Sequence, residues 1–304
     1  MAAFLKRLIH GWVIKTDTAQ IFVWLRNASR PLRNLIPNAW RETFPSFARF
    51  IPHSSEFPPD DSYFLTRDNT HFNINRSDYV QWRLYYGVKD NALQAAMRFA
   101  APNSIVLDIG ANTGTFSLRL AAFIRDQKEL NVQVHAFEPN ATVVNRYNTN
   151  LSLNPSLVEL VKLHPFGLGN QTGSKSFSYT DANTGAGRIT SSGDSKIEIH
   201  RLDDLIERIK PPGISFIKLI AEGYEPEVLN GGWHCIVQFK PPIFLEVTKT
   251  WWAEHGSNVK EVLDRLQALG YEFLIEQNND MVPYEPQKHE NRFQYNLLAT
   301  VRIA

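Results

Sequence analysis

SIVLDIGANTG, residues Ser104 to Gly114, is the stretch around which the chain is organised. Ile105, Val106 and Leu107 are apolar and largely β-branched, the composition of a strand buried on both faces of a parallel sheet, and Asp108 stands at the carboxyl end of the run. Gly110, Ala111, Asn112, Thr113 and Gly114 then make a small-residue turn. Beyond it Phe116, Leu120, Phe123 and Ile124 recur at i, i+4, i+7 and i+8, which predicts an amphipathic helix whose amino end faces the turn. Strand, glycine turn and helix in this order leave a crevice at the strand's carboxyl edge, where exposed backbone donors can receive a nucleotide-like ligand.

Spacing separates the two kinds of ligand such a turn can take. A dinucleotide turn reads GxGxxG, with an acid about 20 residues further on for the ribose hydroxyls. Here the turn is Gly110-x-Asn112-x-Gly114 and lacks the third glycine, and the next predicted strand, Val132 to Phe137, ends in Glu138, thirty positions after Asp108. This disfavours a nicotinamide oxidoreductase. An ionised carboxylate is acceptor-only and can take two donors, so Glu138 is the candidate for both ribose hydroxyls of a bound adenosine. A solvated strand end is the plain alternative for that residue.

VLDIGANTG, AFEPN (Ala136 to Asn140), Leu202-Asp203, FIKLIAEGYEPEVLNG (Phe216 to Gly231) and PIFLEV (Pro242 to Val247) together resemble the FkbM family of S-adenosylmethionine-dependent methyltransferases. The resemblance runs in order from about Ser104 onward, and its FIKxxxEGxExEVLxG part is more specific than the glycine turn alone. It implies a class I methyltransferase fold: a doubly wound, mostly parallel α/β sheet with an antiparallel last strand. It also implies S-adenosyl-L-methionine as cofactor and O-methylation of a hydroxyl on a sugar, glycolipid or secondary metabolite. On that reading Asp108, Gly110, Asn112 and Gly114 hold the cofactor near its amino-acid part and Glu138 holds its ribose. The family pattern IK-x-D-x-EG-x-E meets Ile217-Lys218-Leu219-Ile220-Ala221-Glu222-Gly223-Tyr224-Glu225, with Ile220 where the family has aspartate. Glu222 is the candidate general base for an acceptor hydroxyl, within about 3 Å of its proton in the complex. The alternative is that Glu222 and Glu225 serve the amino end of the following helix. Ile220 also supports a second reading, a catalytically degenerate relative that binds cofactor or partner. Lys218, inside the strand, is expected to pair with Glu246 or Asp108.

Composition bounds the rest. The 304 residues suffice for one sizeable α/β core with an appendage, and 43% hydrophobic with 21% charged residues describe a folded globular protein. Lys and Arg total 32 against 31 Asp and Glu, so no global charge calls for nucleic acid. The single cysteine, Cys235, excludes an intrachain disulfide or cysteine-cluster metal site, suits a reducing cytoplasm and reads as a buried small hydrophobe. The histidines show no metal-ligand spacing, so no metal is assigned. No apolar run approaches the roughly 18 residues that span a bilayer.

Three segments are expected: a basic amphipathic arm (1–60), a lead-in or cap (61–103) and the methyltransferase-like domain (104–304). In the arm, Phe4, Leu5, Leu8, Ile9, Trp12 and Val13 form a helical stripe among basic residues. It is suited to peripheral contact with an anionic membrane through residues 1–30, or to packing on the catalytic domain or a second subunit. The expected location is therefore the cytoplasm, with membrane association through the arm. Tyr63 to Phe72 predicts a hairpin turned by Asp68-Asn69, and Tyr79, Trp82, Tyr85 and Tyr86 are either core or acceptor-pocket wall. Val158 to Leu163 reads as a strand, and 181–194 as a small-residue loop where a substrate loop would lie. Trp251, Trp252 and His255 read as an aromatic loop beside the acceptor.

Overall fold

The computed structural model describes residues 53–127, 129–179, 184–278 and 280–301. The membrane-facing helix expected within 1–30, and all but the last eight residues of the 1–60 arm, lie outside the described residues, as do residues 181–183 of the small-residue loop.

The chain opens with a hairpin, β1 (Ser62–Arg67) and β2 (Thr70–Asn75), then α1 (Tyr79–Tyr86) and α2 (Asn91–Phe99). Asp68 and Asn69 form its turn with φ of 50° and 56°, the left-handed pair that a two-residue hairpin demands. Alternation follows: β3 (Ile105–Ile109), α3 (Thr115–Asp126), β4 (Gln133–Phe137), α4 (Ala141–Ser152) and β5 (Val161–His164). Next come β6 (Gly167–Leu168), β7 (Gly173–Ser178), β8 (Arg188–Ile189), β9 (Ser195–His200), α5 (Leu202–Ile209), β10 (Ile214–Leu219), α6 (Glu225–Gly231) and α7 (Trp233–Phe239). The remaining elements are β11 (Ile243–Thr248), α8 (Lys249–Glu254), α9 (Val259–Ala268), β12 (Tyr271–Gln277), β13 (Asp280–Pro283), α10 (Pro286–His289) and β14 (Gln294–Val301).

The main sheet has the order β13-β12-β14-β11-β10-β3-β4-β5. β5, β4, β3, β10 and β11 are mutually parallel, whereas β14 runs antiparallel to both of its neighbours, β11 and β12. This is the class I methyltransferase arrangement, α/β and doubly wound. A second sheet, β6-β9-β7-β8, stands apart from it. Side chains alternate between the two faces of the main sheet as period-two strands require. Val106, Phe216, Phe244 and Leu298 join the core beneath α2, α3 and α4, while Leu107, Ile217, Leu245 and Leu297 join the core beneath α5, α6, α7 and α9. Chain order reverses at β3, which lies between β4 and β10, and this switch point opens the crevice at their carboxyl ends.

Three expected elements differ, the first being the 181–194 loop, whose described part contains a 3-10 turn (Thr184–Ala186) and the strand β8. Pro155–Leu160 is a 3-10 helix and the strand begins only at Val161, because Pro155 sits in the helical first turn. Trp251 and Trp252 lie on helix α8, which ends at Glu254, rather than in a loop.

Among the described residues no helix is long and apolar enough to cross a membrane.

Candidate active site

Gly110 has φ +76°, and a Cβ there would lie 1.8 Å from the carbonyl oxygen of Ile220, so the close approach of β3 and β10 admits only glycine. The turn is anchored on β4: the Gly110 and Ala111 amides donate to the Phe137 carbonyl at 3.0 and 2.9 Å, and the Asn112 amide donates to Glu138 Oε2 at 3.0 Å. The Gly114 amide donates to the Ala111 carbonyl. The turn donors expected to be exposed are therefore held inside the protein; what the turn delivers is the position of Glu138.

Glu138 also accepts the Asn140 amide on Oε1 at 3.0 Å. Burial pushes its carboxyl up to about 7, against the downward pull of the two amides. An ionised carboxylate has about four acceptor positions, so two amides leave room for two more donors.

Asp108 is fully buried, accepts a short hydrogen bond from Ser117 Oγ and pairs with Lys218 Nζ at 2.7 Å. Lys218 also donates to the Gly110 carbonyl at 2.8 Å, so of its two expected partners it takes Asp108 and ties the turn to β10.

A cavity of about 510 Å³ occupies the crevice. Gly110, Asn112, Glu138 and Glu222 line it. Asp108 and Gly114 do not; they sit behind its wall, where Asp108 fixes Lys218 and Gly114 turns the chain at φ +85° against the Tyr147 ring. Ile220 lines the cavity and presents an apolar surface at the position where the resemblance implies an aspartate.

Glu222 and Glu225, three residues apart, are put to different uses. Glu225 is fully buried and accepts from the Ala221 amide (2.7 Å), the Gly223 amide (3.0 Å) and Trp252 Nε1 (2.9 Å), which locks the turn before α6. Trp252, expected as a cavity wall, is a buried strut of that turn; Trp251 is the one at the cavity. Glu222, at φ +51°, faces the cavity instead. Burial pushes its carboxyl up to about 8, reinforced by Glu246 and Glu225 and opposed by Arg188 and Lys218. Arg188 bridges to Glu254 at 2.7 Å and stacks 4.1 Å above the Trp251 ring.

The anchor of the 181–194 loop, and the cavity residues Arg83, Gln294 and Asn296, escaped the sequence reading. Asp78 caps α1 by accepting from the Gln81 amide and accepts the Thr184 amide at 2.6 Å; Thr184 Oγ1 donates to Asn112 Oδ1 at 3.2 Å. This carries 184–187 to the cavity. At the far end stand Arg83, Gln294 and Asn296 beside Glu246. The available signals were slight: an aspartate before an aromatic helix, and an asparagine and a glutamine near the start of a mostly apolar strand. Among the described residues no group of three His, Cys, Asp or Glu side chains is placed to hold a metal ion.

Residues 108–273 match the model of the methyltransferase FkbM domain. A stretch of 144 residues is 26% identical to hexuronic acid methyltransferase AglP of Haloferax volcanii, covering 47% of this chain and 56% of that protein. The chain thus matches about half the length of this curated relative. Among solved structures, methyltransferase FkbM from Methylobacillus flagellatus KT is 18% identical with a TM-score of 0.43, over 74% of this chain and 52% of that one. A TehB-like SAM-dependent methyltransferase from Corynebacterium glutamicum is 11% identical with a TM-score of 0.37, over 73% and 95%. At these scores the fold class rests on the strand order described above.

Proposed function

The chain belongs to the FkbM methyltransferase family, and on that premise we propose that it transfers a methyl group from S-adenosyl-L-methionine to a hydroxyl of a sugar, glycolipid or other small-molecule acceptor. The observation that carries the reading is Glu138: a carboxylate at the cavity wall, oriented by two backbone amides, with acceptor capacity left for the two hydroxyls of a ribose. A cavity of about 510 Å³ lies in the range of small-molecule and cofactor sites. When bound, the sulfonium donor supplies an electrophilic methyl group and a leaving group that departs neutral.

The chain's own residues then have four tasks. Glu138 holds the ribose. Gly110 and Asn112 would shape the floor under the amino-acid part of the donor. Asp108 and Gly114 act from behind the wall, Asp108 by fixing Lys218. Glu222 takes the proton of the acceptor hydroxyl as the oxygen is aligned with the methyl group, and its raised affinity for protons suits a base working near neutral pH.

Ile220 favours a second reading, a relative that binds without catalysing, since an apolar side chain can neither carry charge nor move a proton. Nicotinamide chemistry is disfavoured by the turn itself, because the Gly110, Ala111 and Asn112 amides that would cradle a pyrophosphate already have acceptors. The test is calorimetry with S-adenosylhomocysteine and with NAD, followed by labelled S-adenosylmethionine with a panel of glycans and glycolipids. Binding of S-adenosylhomocysteine and labelled product are expected. Binding without product across the panel supports the degenerate relative, and binding of NAD alone overturns both.

A further inference from the structure

We propose that Glu246 and Asn296 form a subsite that reads two neighbouring hydroxyl groups on the methyl acceptor. The proposal rests on the methyltransferase reading for the identity of the ligand as acceptor, but its evidence is separate. Glu246 on β11 and Asn296 on β14 are direct cross-strand partners, and both line the cavity. Glu246 takes a hydrogen bond from Gln294, yet its Oε2 is buried with no partner among the described residues; the same holds for Asn296 Oδ1. Buried polar atoms without partners are uncommon, and two side by side in a cavity wall point to a ligand that completes them.

The polarity of the pair follows from what stands behind it. Asn296 Nδ2 donates to Glu276 Oε2 at 2.6 Å, and Glu276 Oε1 accepts Asn91 Nδ2 at 2.8 Å. A carboxylate has no proton to give, so Glu276 fixes the Asn296 amide with its oxygen as the free group. Both unpartnered atoms are acceptors, and the complementary ligand must present donors. Directly opposed residues of an antiparallel pair have Cβ atoms about 4.5–5.5 Å apart, a span that two adjacent hydroxyls can bridge. Burial pushes the Glu246 carboxyl up, against the pull of Gln294, Arg83 and Lys218, so the groups around it do not meet its demand for donors. Paired hydroxyls in the arrangement a pyranose ring carries supply two such donors. A site built to bond hydroxyls discriminates against analogues that lack one, because its own buried groups are then left unpaired.

The test uses the full chain saturated with S-adenosylhomocysteine. Methyl glycopyranosides of the gluco, galacto, manno and glucurono series, each with its monodeoxy analogues, are titrated by saturation-transfer NMR into the unsubstituted protein, Glu246→Gln and Asn296→Ala. Calorimetry with S-adenosylhomocysteine and thermal unfolding are run on each form. At least one glycoside is expected to bind, and to weaken tenfold or more both on loss of one of two adjacent hydroxyls and in either variant, with S-adenosylhomocysteine affinity kept within about twofold. Glu246→Gln is close to isosteric and carries the test if Asn296→Ala does not fold. The proposal is overturned if no glycoside binds, or if the variants bind glycosides as the unsubstituted protein does. It is also overturned if they lose S-adenosylhomocysteine instead, which would give the pair to the donor. Failure of the methyltransferase reading shows separately, as no S-adenosylhomocysteine binding by the unsubstituted protein; the glycoside titration then still reads the subsite on the free protein.

Discussion

At the glycine-turn end of the cavity the polar groups are completed largely by backbone: Glu138 by the Asn112 and Asn140 amides, Lys218 by the Gly110 carbonyl as well as Asp108, and the turn amides by Phe137. At the end formed by Glu222, Glu246 and Asn296 the polar groups are side chains from three separated elements, and two of their oxygens are left without partners. The first end is pre-organised for one ligand shape, since backbone donors cannot be re-aimed by substitution. The second leaves its bonding to whatever acceptor enters, and a single side-chain change there can re-specify it. On the proposed function, this division would let one donor site serve different acceptors.

The sharpest way to break this comparison is Glu222→Gln. If Glu222 is the base, turnover falls by about 10²–10⁴-fold, the range for loss of a positioned proton acceptor, while S-adenosylhomocysteine affinity stays within about threefold. The unsubstituted rate should rise with pH, reach half its plateau near 8 and level off above it, as the carboxyl becomes fully ionised. A variant with normal turnover and an unchanged pH profile would return Glu222 to a structural role.

Glu138→Ala tests the other end, with the opposite signature. Two hydrogen bonds to a charged group are worth about 1.5–3 kcal/mol each, so S-adenosylhomocysteine affinity should drop by about 100-fold or more in calorimetry. Because the ribose donors need the ionised carboxylate, affinity of the unsubstituted protein should be level above pH 7 and fall below it, by about tenfold per pH unit at most. An unchanged affinity for the alanine variant would remove the anchor.

The smallest effect is on stability. Glu138 and Glu225 (about 7) and Glu222 (about 8) keep protons in the folded chain that the unfolded chain gives up near 4.5, so each lowers stability as pH rises through that window. His135 and His164, pushed down to about 4 by burial, act oppositely between 4 and 6.5, where the unfolded chain binds the extra protons. The unfolding midpoint should fall gently from pH 5 to 6.5, where three carboxyls outweigh two imidazoles, and more steeply just above 6.5, where the imidazoles no longer oppose them, in a thermal melt. Glu222→Gln should flatten the upper part of that curve.

What was legible in the sequence follows the same division. Ile105 to Gly114 announced β3, the turn and α3, because local periodicity and small residues determine them, and the alternation of strands and helices announced the doubly wound sheet. Glu138 was placed correctly at the mouth of β4, yet its partners were not, since amide donors leave no mark in a residue pattern. Asp108 looked like a cavity residue because it ends a strand; the geometry buries it under Lys218 and Ser117. Trp252 looked like a wall because it is aromatic and near the sheet edge, whereas its indole N–H is needed by Glu225. Asn296 is separated from Glu246 by fifty positions, and only strand pairing brings them together.

The position of β14 has a consequence for how the molecule is assembled. This strand enters between β11 and β12, both earlier in the chain, so the centre of the sheet closes only after β14 has been made. A fragment ending at residue 273, where the family match stops, would lack β14 and most of β12 and leave β11 with an unpaired edge. The wall that carries Asn296 is thus the last part of the cavity to be made, and the central slot of the sheet closes only with it.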